Sequence, residues 1–264
     1  MTLVINQPIG IFDSGIGGLS ITKHIKQQLP YEKLIYVADT LHAPYGNKTT
    51  YSIIERVNTL SEKLLQQQVK ALVVACNTAT VNTIDQLRKQ ITIPIIGVEP
   101  AIKPATIYSK NGKVGVLVTQ ATANNPRFLA LVDKFNTGVD IIIQACPGLV
   151  ELIEQGKINS PQCETLLNHY LTPLINKDVD TIVLGCTHYP FLLQKIKTIC
   201  GDSIKVMDTA APVTNELQRQ LQKHQLCTTF DNSTSIEFFS SKPSLLLDNL
   251  STELFEQSVS FKLF

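Results

Sequence analysis

The chain has 264 residues, enough for one large α/β domain or two smaller lobes with a full core. Lys and Arg number 23 against 22 Asp and Glu, a formal charge of +1, which leaves no bulk electrostatic case for nucleic acid. Met1 leads into Pro8-Ile9-Gly10-Ile11-Phe12 without a signal peptide, and no apolar run approaches the ~18 residues of a membrane span. A cytoplasmic protein with no membrane partner is expected.

In chain order, Ile9–Phe12 reads as a buried strand that stops at Asp13-Ser14-Gly15-Ile16-Gly17-Gly18. Leu19, Ile21, Ile25 and Leu29 follow at helical spacing, and Pro30 ends the helix. Leu34–Ala38 is a second strand, followed by Asp39-Thr40 and the turn-forming Ala43-Pro44-Tyr45-Gly46-Asn47. An amphipathic helix is expected from about Thr50 to Gln68, with Ile53, Val57, Leu60 and Leu64 on one side. Then comes Ala71-Leu72-Val73-Val74-Ala75-Cys76-Asn77-Thr78, an apolar run ending at a cysteine among small polar residues. The unbroken run suits a strand covered on both faces of a parallel sheet. Asn77, Thr78 and Thr80 read as a loop opening a helix near Val81–Gln90, and a short strand is expected at Ile93–Val98.

The pattern then restarts. Val114–Thr119 repeats the shape of Ile9–Ser14, a helix is expected near Arg127–Lys134, and Val139–Ala145 repeats the second strand. Cys146-Pro147-Gly148 falls where Pro44-Tyr45-Gly46 fell, and a helix carrying Leu166, Leu167, Tyr170 and Leu174 precedes Thr181-Ile182-Val183-Leu184-Gly185-Cys186-Thr187-His188. Val114 follows Ile9 by 105 positions and Cys186 follows Cys76 by 110, a weak internal duplication of order and spacing. After Ala211 a helix near Val213–Lys223, a strand at Ser235–Ser240 and a short helix near Pro243–Leu254 have no counterpart. The expected fold is α/β, with two similar, pseudo-symmetric lobes. Each is a mainly parallel sheet flanked by helices, and the active site is expected in the cleft between them. The first lobe is expected to be discontinuous, 1–97 with 211–264, and the second to span 98–210.

The six cysteines form no Cys-x-x-Cys pair and the five histidines do not cluster at zinc spacing, so neither a metal site nor a disulfide framework is expected. A buried cysteine is ordinarily a small hydrophobe. Cys76 and Cys186, however, both leave a strand for a polar loop ahead of a helix, where oriented N–H groups stabilise a thiolate. Two thiols on opposite walls of a cleft can remove a proton from one face of a carbon and return one to the other, inverting it. Asp13 ends the strand beside Cys76, His188 lies two residues past Cys186, and Glu151 follows the loop that should border it. Each has an alternative: Asp13 as a helix cap, His188 as a structural histidine, Glu151 as a solvated first-turn charge.

Asp13-Ser14-Gly15 with Gly17-Gly18, Pro44-Tyr45-Gly46, Ala75-Cys76-Asn77-Thr78 and Gly185-Cys186-Thr187-His188-Tyr189-Pro190 together resemble the cofactor-independent glutamate racemases of bacterial cell-wall synthesis. The resemblance runs from about Ile9 to Thr209. It implies interconversion of L- and D-glutamate for peptidoglycan, without pyridoxal phosphate or metal, and a homodimer as the assembly. It assigns Cys76 and Cys186 as the acid/base thiols, with Asp13, Glu151 and His188 assisting proton transfer. Asp13, Ser14, Tyr45, Gly46, Asn77, Thr78, Thr119, Thr122, Thr187 and His188 are assigned to hold the amino acid. Thr119 and Thr122 fit a family segment from which Val118, Ala123 and Asn125 depart. Activator-dependent members carry an N-terminal extension that is lacking here, which argues against activation by a cell-wall nucleotide precursor.

Four other readings compete. Gly15-x-Gly17-Gly18 with Asp39 imitates a dinucleotide fingerprint, but Ser20 stands where its third glycine belongs and both cysteine motifs go unexplained. A cysteine-nucleophile hydrolase would use Cys186 with His188 and leave Cys76 idle. A two-lobed binding protein would need neither thiol for turnover. Aspartate racemase, one methylene away in substrate, belongs to the same superfamily.

Overall fold

The computed structural model describes residues 2–228 and 235–264. They fall into two compact units, Met1–Val98 with Ala210–Phe264, and Glu99–Thr209.

In the first unit a one-turn helix α1 (Thr2–Ile5) leads into β1 (Ile9–Asp13). Helix α2 (Leu19–Gln28), β2 (Leu34–Ala38), α3 (Thr50–Gln66), β3 (Ala71–Val74), α4 (Asn77–Gln90) and β4 (Ile95–Gly97) follow. β1, β2 and β3 are buried at every position, as runs without polar alternation require for strands covered on both faces. They pair in parallel, β1 lying between β2 and β3, and β4 extends the sheet beyond β3.

The second unit repeats this order. It contains α5 (Ile102–Tyr108), β5 (Lys113–Val118), α6 (Gln120–Ala123), α7 (Pro126–Phe135) and β6 (Asp140–Ala145). Next come α8 (Leu149–Glu154), α9 (Pro161–Ile175), β7 (Thr181–Leu184), α10 (Leu193–Cys200) and β8 (Lys205–Met207). Its four-stranded parallel sheet has the order β6-β5-β7-β8, matching β2-β1-β3-β4 strand for strand. The duplication read in the spacing is therefore a repeat of topology.

The tail contributes α11 (Ala210–Lys223), β9 (Ile236–Ser240), α12 (Leu245–Phe255) and β10 (Lys262–Leu263). β9 pairs in parallel with β2, and β10 with β9, giving the six-stranded order β10-β9-β2-β1-β3-β4. α11 packs on α2. At the N-terminal end of this sheet the buried Lys70 ammonium donates to the carbonyls of Ile5 (2.6 Å) and Leu226 (2.8 Å) and pairs with Glu32. Glu32 also accepts the Thr228 N–H at 3.0 Å, so one charge pair ties the N-terminal segment and the segment after α11 to the sheet. No helix among the described residues is long and apolar enough to cross a membrane.

Candidate active site

The chemistry-bearing residues gather at the C-terminal ends of the strands, where open parallel sheets hold their ligands. In the first unit β1 delivers Asp13 and Ser14, the residues after β2 deliver Asp39 and the Tyr45-Gly46 turn, and β3 delivers Cys76. Asp13 is fully buried and its Oδ2 accepts the Gly18 N–H at 2.9 Å, fixing the loop that enters α2. The glycine is needed there: a Cβ on Gly18 would lie 2.9 Å from the Asp13 Cβ and 3.0 Å from that of Ala75. The Tyr36 hydroxyl donates to the Gly15 carbonyl at 2.6 Å from below.

Cys76 was expected to precede a loop. Instead α4 begins at Asn77, and Cys76 is itself the N-cap residue. Its Sγ accepts the Ala79 N–H at 3.5 Å and donates to the Ser14 hydroxyl at 3.7 Å. A sulfur in that position feels the positive end of α4 and the free N–H groups of its first turn, both of which favour thiolate. Asn77 and Thr78, in that turn, are buried. The Asn77 amide donates to the Val98 carbonyl at 3.3 Å, while its Oδ1 is buried with no hydrogen-bond partner among the described residues.

Tyr45 is buried, and its hydroxyl donates to Asp39 Oδ2 at 2.7 Å. Burial, then the Asp39 charge, pushes its ionisation far above the ordinary tyrosine range, so it is a neutral donor. Asp39 also receives Arg56. Burial alone would raise the Asp39 pKa, but the Arg56 and Tyr45 hydrogen bonds outweigh it and hold it below the ordinary value.

In the second unit Thr119 directly follows β5, Cys146 directly follows β6 and Cys186 lies two residues past β7. Thr119 caps α6, accepting the Thr122 N–H at 3.3 Å and donating its hydroxyl to Thr122 Oγ1 at 3.0 Å, so these two predicted binding residues lie together. The setting of Cys186 differs from that of Cys76. A 3-10 turn, Tyr189–Leu192, follows it in place of an α-helix N-terminus. Its neighbour is a side chain: Cys186 Sγ lies 3.8 Å from His188 Nδ1.

His188 Nε2 meets Glu154 Oε1 at 2.5 Å. An ionised carboxylate only accepts, so the proton of a neutral imidazole sits on Nε2 and leaves Nδ1 as an acceptor toward the thiol. Glu151 was the carboxylate that the resemblance implied would assist proton transfer. Glu151 lies in the first turn of α8, and Glu154, one turn further along it, makes this pair. The sequence reading missed Glu154; its i, i+3 relation to Glu151 was the available signal.

A third thiol, Cys146, also belongs to this cluster. Burial, then the Cys186 charge, pushes it well above the ordinary thiol range. Tyr189, fully buried, donates to the Val118 carbonyl at 3.2 Å and ties the ends of β5 and β7 beneath the Cys186 loop. Gly185 lies so close that a Cβ would stand 2.8 Å from the Leu117 carbonyl oxygen and 2.7 Å from Val118 Cγ1.

Residues 9–217 match the family model described as Asp/Glu/Hydantoin racemase. A protein of Ectopseudomonas mendocina named glutamate racemase is 48% identical over 223 residues, covering 84% of this chain and 85% of its own length. The crystal structure of glutamate racemase isoform RacE1 from Bacillus anthracis superposes with a TM-score of 0.90 at 30% identity, covering 98% of this chain and 97% of that one. The glutamate racemase of Francisella tularensis, solved with D-glutamate, gives 0.86 at 28% identity over 98% of each chain.

Proposed function

Since the chain belongs to the Asp/Glu/hydantoin racemase family and is thus an amino-acid racemase, an isomerase, we propose that it interconverts L- and D-glutamate, using Cys76 and Cys186 as its two acid/base groups. In each direction one thiolate takes the Cα proton while the other group, as thiol, donates a proton to the opposite face. The enzyme ends each turnover with the two protonation states exchanged. The observation that carries this reading is the pair of thiols at topologically equivalent positions, after β3 and after β7, each with its own proton-handling neighbours.

The two halves act by different means. Around Cys76 the α4 N-terminus favours the thiolate and the Ser14 hydroxyl accepts from the thiol, whereas Cys186 exchanges its proton with His188, held in one tautomer by Glu154. Asp13 and the unsatisfied Asn77 Oδ1 are acceptors of the kind a substrate ammonium requires. The hydroxyls of Ser14, Thr78, Thr119, Thr122 and Thr187, with the Tyr45-Gly46 backbone, supply donors for two carboxylates without a bulk positive charge. Glu151 adds a negative charge felt by the Tyr170 and Tyr189 hydroxyls. In this reading the protein is a cytoplasmic homodimer whose D-glutamate feeds peptidoglycan synthesis.

The test follows the optical activity of L-glutamate and, separately, L-aspartate in reducing buffer without added cofactor. Decay to zero with glutamate, slow or absent decay with aspartate, and loss of turnover in both Cys76→Ser and Cys186→Ser are expected. No decay with glutamate, or full turnover in either variant, would sink the reading. Rescue of a depleted cell by D-glutamate tests the biosynthetic role.

A further inference from the structure

We infer that Asp39 and Arg56 are positioning residues for substrate, acting through the Tyr45 hydroxyl to hold the Pro44-Tyr45-Gly46 turn beside Cys76. The inference rests on the proposed racemisation and gives a part in it to two residues outside the predicted site.

Asp39 directly follows β2, and its N–H donates to the Asp13 carbonyl at 3.0 Å, so its backbone is registered against the strand that carries Asp13. The side chain is fully buried and receives three donors: Arg56 Nε on Oδ2 at 3.0 Å, Arg56 Nη2 on Oδ1 at 3.0 Å, and the Tyr45 hydroxyl on Oδ2 at 2.7 Å. Arg56 reaches in from α3, so three segments, the end of β2, the turn and α3, converge on one carboxylate. The turn is two short 3-10 pieces, Thr40–His42 and Tyr45–Asn47. The first is tied to the end of β9, Thr40 Oγ1 donating to the Lys242 carbonyl at 3.1 Å and the Leu41 N–H to Ser241 Oγ at 3.0 Å, and the Tyr45 hydroxyl ties the second to Asp39.

An apolar core could seat the Tyr45 ring without Asp39. The ring already lies in the buried cluster that contains Cys76, Ile53 and Val57. Burying a carboxylate and a guanidinium costs desolvation that apolar side chains would avoid, and a bidentate pair returns fixed geometry. Fixed geometry here means a fixed Tyr45 and hence a fixed Gly46. Because the Tyr45 hydroxyl is committed to Asp39, what the turn offers a substrate is its backbone.

The test is steady-state kinetics on glutamate for Tyr45→Phe, Asp39→Asn, the double variant, Arg56→Lys and Arg56→Met, with thermal unfolding of each. Losing one hydrogen bond to a charged acceptor should raise KM about tenfold in Tyr45→Phe and in Asp39→Asn, with kcat held within about threefold. Because both act through one bond, the double variant should be no worse than the worse single one. Arg56→Lys should recover part of the KM that Arg56→Met loses. Unchanged KM in Tyr45→Phe, additive effects in the double variant, or lowered stability with no change in KM would each overturn the inference. If Asp39→Asn fails to fold, Tyr45→Phe and Arg56→Lys decide by the same KM criterion. Wild-type protein inactive on glutamate overturns the functional reading and this inference with it; active wild type with normal KM in Tyr45→Phe overturns this inference alone.

Discussion

Replacing Glu154 by Gln exchanges one carboxylate oxygen for an amide and leaves the shape of α8 intact. The hydrogen bond to His188 Nε2 can persist only as a neutral one, and an imidazolium formed at His188 loses its counter-charge. Hydrogen bonds to charged groups contribute about 1.5–3 kcal/mol. The Glu154 side chain is 15% exposed, so water screens part of the interaction and the lower end applies. A loss near 1.5–2 kcal/mol is a fall of about 10- to 30-fold in kcat/KM. L- and D-glutamate have equal free energies, so the fall must be the same in both directions. The asymmetry shows elsewhere: the step at Cys186 becomes slower relative to that at Cys76, so the Cα-deuterium isotope effect should rise for one enantiomer and fall for the other. Circular dichroism with each enantiomer, protonated and deuterated at Cα, reads both quantities. Glu151→Gln should cost less. Wild-type kcat/KM in Glu154→Gln, or a larger loss in Glu151→Gln, would refute the assignment of Glu154 to His188.

Gly185→Ala forces a methyl to within 2.8 Å of the Leu117 carbonyl oxygen, which cannot rotate away. We expect a stability loss of about 1–3 kcal/mol in denaturant unfolding and a larger proportional loss of turnover, because Cys186 is the next residue. Normal activity there would mean that the Cys186 loop tolerates displacement. Lys70→Met leaves Glu32 charged and buried with one partner removed, so a loss of about 3–5 kcal/mol is expected, largely recovered in Lys70→Met/Glu32→Gln. Equal stability of the parent and Lys70→Met would contradict the clamp. Asp39 has a folded-state pKa held below its unfolded value, so its stabilisation is complete above about pH 4 and is lost as pH falls through the folded value. Asp39→Asn should therefore flatten the fall in Tm below about pH 4; an unchanged acid limb would show that Asp39 contributes nothing to it.

The strands that carry the site were legible because β1, β2, β3 and β7 are short, buried and uninterrupted, and each ends in a residue that no core needs. Cys76 and Cys186 stood out because their two settings echo each other in sequence. The difference between them did not. Whether a helix starts at once, as after Cys76, or a 3-10 turn intervenes, as after Cys186, depends on the capping bond from Ala79 and on Pro190, not on apolar periodicity. The short helix α5 was missed for a related reason: seven residues give barely two turns of pattern. Glu154 was not singled out, because its partner His188 lies 34 positions away. Asp39 was weighed only as part of a dinucleotide motif, because its partner Arg56 lies 17 positions away and only the fold brings them together. Parallel pairing of β9 with β2 is equally non-local.

The most direct test of two thiols acting on opposite faces is a single label experiment. L-glutamate is incubated with the enzyme in D2O, stopped while conversion is small, and the two enantiomers are separated and weighed by mass spectrometry. Thiols exchange with solvent, so the group that reprotonates Cα carries deuterium while the group that removed the proton does not pass it on. D-glutamate bearing one deuterium, with unlabelled L-glutamate remaining, is the expected result. D-glutamate that keeps the original proton, or substrate that gains deuterium as fast as product forms, would mean that one group serves both faces.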